Sequence, residues 1–146
     1  MANDIRMVGA NPSGTWAPAA NSCQKGLSSA QTSSLTIRWD ADADGSVNAA
    51  ETITYSYDAA NQRVTRTVNG TSAVLIKNTS GLTLQYFKGA TAATMSGSPA
   101  QVTTVDCDGV TSVQVTVQVK AARAVTPTTV SVGARVPLRN RVLSNI

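Results

Sequence analysis

The chain has 146 residues, of which 42% are hydrophobic and only 14% charged, and its formal net charge is +4. This length is typical of a single domain with a core of its own. Histidine is absent, which excludes the commonest general base and the commonest zinc ligand. No stretch of the sequence predicts a membrane-spanning helix, and no signal peptide is evident.

The basic residues are spread along the chain, whereas four of the eight acidic residues lie within residues 40–51. The one local concentration of positive charge is Arg135, Arg139 and Arg141. No basic cluster is interleaved with aromatic residues, as a nucleic-acid interface would require. We therefore expect no nucleic-acid partner, and a solvated or partner-facing tail at the C-terminal end.

The first third of the chain begins with a short helical signal. Residues 3–9 are compatible with one or two helical turns that end at Gly9, and the sequence Asn-Pro-Ser-Gly at 11–14 then turns the chain. Residues 15–34 are rich in Ser, Ala and Gln without a clear period. They predict an ordered loop with at most a short helix.

From residue 34 the pattern becomes regular. Apolar and polar residues alternate in five successive runs, which predicts strands at 35–39, 52–57, 63–68, 72–76 and 82–87. Asn69-Gly70 separates two of them, and this pair favours a type I′ turn with positive φ at both residues. The sequence thus predicts an antiparallel β-meander over 34–87.

An acidic loop, residues 40–51, interrupts that meander. It reads D-x-D-x-D-G-x-x-x-x-x-E, which matches the twelve-residue calcium loop of an EF-hand. The predicted ligands are the side chains of Asp40, Asp42, Asp44 and Glu51, the backbone carbonyl of Ser46, and Asn48 through water. The high ligand count favours Ca²⁺ over Mg²⁺. A solvated turn that binds no ion is the alternative.

The flanks of the acidic loop distinguish it from an EF-hand protein. Residues 35–39 and 52–57 have the alternation and the β-branched content of strands rather than helices. We therefore expect a metal-binding hairpin on a β scaffold, in which the ion has a structural role.

The last third predicts one long hairpin. Valines alternate with polar residues from Val113 to Val119, and the period-two pattern returns from Val130 to Leu138. The predicted C-terminal hairpin covers 110–140. The acidic turn Asp106-Cys107-Asp108-Gly109 before it is interpreted as a strand entry rather than a metal site.

The two cysteines, Cys23 and Cys107, are too few for a zinc site. One disulfide between them would close a long loop and contribute about 4 kcal/mol on the chain-entropy estimate. An even cysteine count in a charge-poor β protein favours export. Two unrelated buried thiols are the alternative.

Taken together, these patterns predict one domain over 1–146 of the α+β class that is predominantly antiparallel β. No βαβ unit, phosphate-binding glycine loop or nucleophile–base pair is present in the sequence. The order of the elements resembles the globular part of type IV pilin-like minor pilins and minor pseudopilins, nearest the PilW and pseudopilin J types. The segments that carry the resemblance are 4–14, 35–40, 44–45, 51–57, 64–70, 81–87, 113–117 and 136–140.

This resemblance implies a pilin-like head in which residues 1–14 are the end of a truncated N-terminal helix. The leader and the apolar helix that anchors such subunits in the membrane are missing, so we expect the chain to be the soluble part of a longer protein, with Met1-Ala2 added at its start. The resemblance implies a non-catalytic subunit of the bacterial cell envelope, anchored in the inner membrane before assembly. Its expected partners are other minor pilins or pseudopilins and the major pilin, in a type IV pilus or a type II secretion pseudopilus.

Two other functions stay open at this stage. A secreted calcium-dependent β module that binds carbohydrate or acts as an adhesin is the first, although only six aromatic residues are available for stacking on sugars. An enzyme is the second, because an acid pair such as Asp106 and Asp108 can in principle support glycosidic chemistry. We expect the chain not to be an enzyme.

Overall fold

The computed structural model describes residues 1–10, 26–120 and 129–138. Its elements are α1 Ala2–Arg6, β1 Leu27–Ala30, β2 Ser34–Arg38, a 3₁₀ turn at Ala49–Glu51, β3 Thr52–Asp58, β4 Arg63–Val68, β5 Thr71–Lys77, β6 Thr79–Lys88, β7 Thr91–Ala92, β8 Met95–Ser96, β9 Gln101–Val102, α2 Thr104–Cys107, β10 Ser112–Lys120 and β11 Thr129–Pro137. Of the described residues, 56% lie in strands and 10% in helices.

The predicted α+β class, with a pilin-like head, is wrong, because the structure is mostly antiparallel β. Helices α1 and α2 have five and four residues, which is little more than one turn each. Helices this short cannot form a layer that covers a sheet. The strands are arranged in sheets of five, four and two members, and the packing of the two larger sheets provides the core.

The first sheet contains β1 to β5 in chain order, and every neighbouring pair is antiparallel. Alternation sets its register: Leu35 lies opposite Tyr55 and Ile37 opposite Ile53, and all four side chains are buried. The turn between β4 and β5 has φ values of 48° at Asn69 and 74° at Gly70, as the Asn-Gly signal predicts.

The second sheet has the order β11-β10-β6-β7. The run at 82–87, which the sequence places at the end of the meander, instead lies in β6 and pairs with β10. The two C-terminal runs do pair with each other, with Val113 opposite Val136 and Val119 opposite Val130. Residues 139–140, the end of the predicted hairpin, lie outside the described residues.

The two larger sheets share one core. Leu35, Ile37 and Tyr55 from the first sheet belong to the same buried cluster as Leu84 and Tyr86 from the second. The side chains of Ile5 and Val8, in and just after α1, are fully buried in this cluster. The N-terminal helix is therefore part of the fold rather than an appendage.

Among residues 1–10, 26–120 and 129–138, no helix has the length and the apolar character needed to cross a membrane.

Candidate metal-binding site

The acidic loop connects the end of β2 at Arg38 to the beginning of β3 at Thr52. These two strands pair directly, so the loop is the tip of a hairpin, as its flanking sequence predicts. Asp40 follows β2 by two residues and is fully buried, whereas Asp42 and Asp44 are exposed. The loop thus begins at the core and then projects into solvent.

Three of the predicted ligands converge. Asp40, Asp42 and Asp44 each place one carboxylate oxygen within 4.8 Å of the others. Their spacing at every second residue brings the side chains to one side of a tightly wound backbone. Carboxylate oxygens are the ligands that Ca²⁺ and Mg²⁺ prefer. This cluster could therefore hold a metal ion.

The backbone of the loop is turned inwards onto these carboxylates. Gly45 has φ 85°, in the left-handed region that glycine adopts without strain, and its amide N donates to Asp40 Oδ2 at 3.2 Å. The amide N of Asp44 donates to Asp42 Oδ1 at 3.3 Å, and that of Ser46 donates to Asp44 Oδ1 at 2.7 Å. Each aspartate therefore stabilises the turn as well as carrying charge.

Glu51, the last predicted ligand, has a different environment. Its side chain is 4% exposed. Glu51 Oε1 accepts from the amides of Ala41 at 2.6 Å and Asp42 at 3.2 Å, and Oε2 accepts from the amide of Asn48 at 3.0 Å. The hydrogen bond from Asn48 is the main reason that the pKa of Glu51 is lowered, and burial and the charge of Asp40 oppose this effect.

Asn48 also bonds to the backbone. Its side-chain oxygen accepts from the amide of Ala50 at 2.8 Å, and together with Glu51 it forms a capping box around the 3₁₀ turn. The structure thus brings Asp40, Asp42 and Asp44 together and places the side chains of Asn48 and Glu51 on backbone amides. Coordination by Asn48 and Glu51, and by the carbonyl of Ser46, stays a prediction.

The base of the loop is attached to the segment that leaves α1. The amide of Gly9 donates to the carbonyl of Arg38 at 2.9 Å, and the amide of Asp40 donates to the carbonyl of Ala10 at 2.8 Å. Gly26 lies against this segment so closely that a Cβ there would be 2.3 Å from Gly9 N. The exit of α1, the end of β2 and the first predicted ligand therefore form one hydrogen-bonded unit.

A second polar cluster, which sequence reasoning missed, also holds α1. Asp4 accepts hydrogen bonds from the hydroxyl of Tyr55 and from Arg66 Nε, the latter at 3.1 Å. Burial, followed by the hydrogen bond to Asp4, raises the pKa of Tyr55. Asp4 is 51 and 62 positions from its partners. No short-range sequence signal relates residues so far apart.

The acid pair of the enzyme hypothesis lies in and after α2. Asp106 forms a salt bridge with Lys88 and accepts from the amide of Thr94 at 2.7 Å. These contacts, with the Lys88 hydrogen bond first, lower the pKa of Asp106 to about 2. A general acid needs a raised pKa, so Asp106 is suited to anchoring α2 to the strands around it.

Cys107 is fully buried and disulfide-bonded. Cys23, the only other cysteine in the sequence, lies outside the described residues.

The chain was compared with protein-family models, with curated proteins and with solved structures, and none of these matches it. The site must therefore be interpreted from its own geometry.

Proposed function

We propose that this protein is a non-catalytic assembly subunit of the minor pilin or minor pseudopilin kind, in which Ca²⁺ bound by the acidic loop stabilises the junction between the N-terminal helix and the β domain. The position of the loop is the main observation that supports this proposal. Its first aspartate, Asp40, is hydrogen-bonded through its amide to Ala10, four residues after α1 ends.

An ion in the loop would act on this junction by a direct route. Asp40, Asp42 and Asp44 converge, and a dication between them would replace repulsion by attraction and add its binding free energy to folding. Because Asp40 N and Gly9 N belong to the same hydrogen-bonded unit, a more rigid loop means a more firmly held helix. A subunit that packs on neighbours through a helix and a globular part benefits from a fixed angle between the two.

The assembly role has a second source of support in exposed apolar side chains. Val130 and Val132 on the edge strand β11 are 52% and 63% exposed. Val132 also lines an apolar groove of about 210 Å³ together with Met1, Ala2, Val115 and Val117, and Val130 lies two residues before it on the same strand. Exposed apolar patches are typical of protein interaction surfaces. The resemblance in sequence order suggests which class of partner to look for.

Calcium binding is tested by thermal unfolding with and without a chelator. We expect calcium to raise the melting temperature, by an amount that corresponds to about 2.7 kcal/mol at one hundred times the dissociation constant. Asp42→Ala should remove that increase. Asp58→Asn is the control, because Asp58 is an acidic residue outside the acidic loop, at the end of β3, where it pairs with Arg63. An unchanged melting temperature of the wild type at about 10 mM calcium, well above the dissociation constants of extracellular calcium modules, would refute calcium binding by the acidic loop.

The assembly role is tested by capture from the cells that produce the protein. Chemical cross-linking of the native protein, followed by mass spectrometry, should identify pilin-like subunits, and Val130→Thr with Val132→Thr should weaken the cross-links while keeping β-branched residues on β11. Binding to a defined glycan on an array, without capture of any pilin-like subunit, would replace this proposal by the carbohydrate-binding alternative.

A further inference from the structure

We infer that Glu51 is a positioning residue that holds the acidic loop in its folded shape before any ion arrives, and that the ion is bound by Asp40, Asp42 and Asp44 without Glu51. This inference deepens the proposed function and rests on it where it concerns the ion. It departs from the EF-hand pattern, in which the glutamate at position twelve is a bidentate ligand.

Both oxygens of Glu51 are already engaged. Oε1 accepts from two amides near the beginning of the loop, those of Ala41 and Asp42, and Oε2 accepts from the amide of Asn48 near its end. One buried carboxylate therefore connects the two ends of the loop. Oε1 already accepts two hydrogen bonds, so a bidentate arrangement, in which both oxygens face the ion, would take Oε1 from at least one of its two amides.

That exchange would break hydrogen bonds to a charged acceptor, which are stronger than hydrogen bonds between neutral groups. Rotation of the carboxylate away from Asn48 N would break the half of the capping box that Glu51 provides. These losses weigh against recruitment of Glu51, whereas Asp42 and Asp44 are exposed and lie beside Asp40.

Two properties of the site follow. The loop is preformed, so calcium binding is accompanied by little backbone rearrangement and the ion has a structural role. The ion also has three carboxylate ligands rather than four and completes its shell with carbonyl oxygen and water. Fewer charged ligands mean weaker binding, and we expect a dissociation constant of about 0.1–1 mM, in the range of extracellular calcium modules.

The experiment compares Glu51→Gln with Asp42→Asn, each of which removes one charge at nearly constant size. Melting temperatures are measured in chelator and along a calcium titration. Glu51→Gln should lower the melting temperature in chelator, because the NH2 group of Gln cannot accept a hydrogen bond and the amides at one end of the loop lose their acceptor. Calcium should still raise the melting temperature, with an affinity about tenfold weaker. Asp42→Asn should leave the melting temperature in chelator unlowered and lose the calcium response.

The opposite pattern would overturn the inference. If Glu51→Gln melts like the wild type in chelator but no longer responds to calcium, Glu51 is a ligand. A wild type without any calcium response would instead refute the proposed function, while the lower melting temperature of Glu51→Gln in chelator would still support Glu51 as the residue that folds the loop.

A measurement on the wild type covers the case in which Glu51→Gln does not fold. Amide hydrogen exchange is followed at Ala41 and Asn48, whose N–H groups bond to Glu51. We expect both amides to be protected in chelator and to stay protected after calcium is added. Loss of protection on addition of calcium would show that the ion has taken the carboxylate from them, and would refute the inference.

Discussion

The acidic loop at 40–51 and the acidic turn around α2 look alike in sequence but have different electrostatics in the structure. Both contain Asp-x-Asp and a following glycine. In the α2 turn, Lys88 and the amide of Thr94 neutralise and hold Asp106. In the acidic loop, the carboxylates of Asp40, Asp42 and Asp44 lie beside one another. The salt bridge with Lys88 makes the α2 turn a structural contact, whereas the three carboxylates of the acidic loop lie close enough together to hold a metal ion.

The largest effect is expected below the acidic loop, at Gly26. This residue has φ +92°, and a Cβ would lie 2.3 Å from Gly9 N and 2.7 Å from Val8 Cγ1. Gly26→Ala should therefore displace the segment after α1 and destabilise the protein by about 3 kcal/mol, from backbone strain and overpacking together. Chemical denaturation measures the loss.

Gly70→Ala is the matched control for that change. Gly70 also has positive φ, at +74°, but nothing lies within 4 Å of the position of its Cβ. Gly70→Ala should lower the free energy of unfolding by about 1 kcal/mol, because only the positive-φ backbone conformation is unfavourable for alanine there. Equal losses for the two variants would mean that the close approach of Gly26 to Gly9 has no energetic importance.

The second effect concerns the α2 turn and acid pH. The pKa of Asp106 is lowered from 3.8 to about 2 in the folded protein, so the unfolded chain takes up a proton there first as the pH falls. The stabilisation by Asp106 is complete above about pH 4 and is lost between about pH 4 and pH 2. The difference in unfolding free energy between the wild type and Asp106→Asn should therefore shrink over this window.

Calcium has no part in that difference. The gap between the wild type and Asp106→Asn should be the same in chelator and in calcium, because Lys88 and not a metal ion is the counter-charge of Asp106. Parallel curves for the two proteins from pH 5 to pH 2 would contradict the assignment of the salt bridge as the stabilising contact.

The smallest effect has the opposite sign. In chelator, Asp42→Asn should raise the free energy of unfolding by a few tenths of a kcal/mol, because it removes an exposed negative charge that lies beside two others. Asn can still accept the hydrogen bond that Asp44 N donates. A clear loss of stability in chelator would show that the loop carboxylates are already compensated, as Asp106 is.

Local sequence signals were sufficient for several parts of the fold. The pairing of β10 with β11, the Asn69-Gly70 turn and the position of the acidic loop between two strands all depend on alternation or on turn residues a few positions apart. The sheet to which a strand belongs does not depend on such local signals. β6 has the same alternation as the strands before it, and only its pairing with β10, which follows three short strands and α2 in the chain, places it in the second sheet.

The strand β1, within a stretch expected to be a loop, was missed for a related reason. Leu27 and Ala30 are its only buried residues, and its pairing with β2 contains an irregularity between Leu27 and Ser29. Four residues with such a pattern give too weak a periodic signal for a strand prediction. The neighbouring strand β2 supplies the partner that the sequence of β1 alone does not reveal.

The candidate site was predictable as far as its residue types, but not in the roles of individual carboxylates. The spacing of Asp40, Asp42 and Asp44 indicates convergence, and the structure shows it. The hydrogen bonds that Glu51 accepts from Ala41 and Asn48 depend on how the backbone closes the loop. The triad of Asp4, Tyr55 and Arg66 depends on tertiary packing alone.

The central claim is that the acidic loop and the exit of α1 form one unit that calcium stabilises. Amide hydrogen exchange at Gly9 and Asp40, the two amides that join them, tests this most directly. Under conditions in which amides exchange through local opening, calcium should slow exchange at both amides and leave those of β10 and β11, in the other sheet, unchanged. Unaltered exchange at Gly9 and Asp40 in a protein that binds calcium would show that the ion stabilises only the loop itself, and would contradict the account.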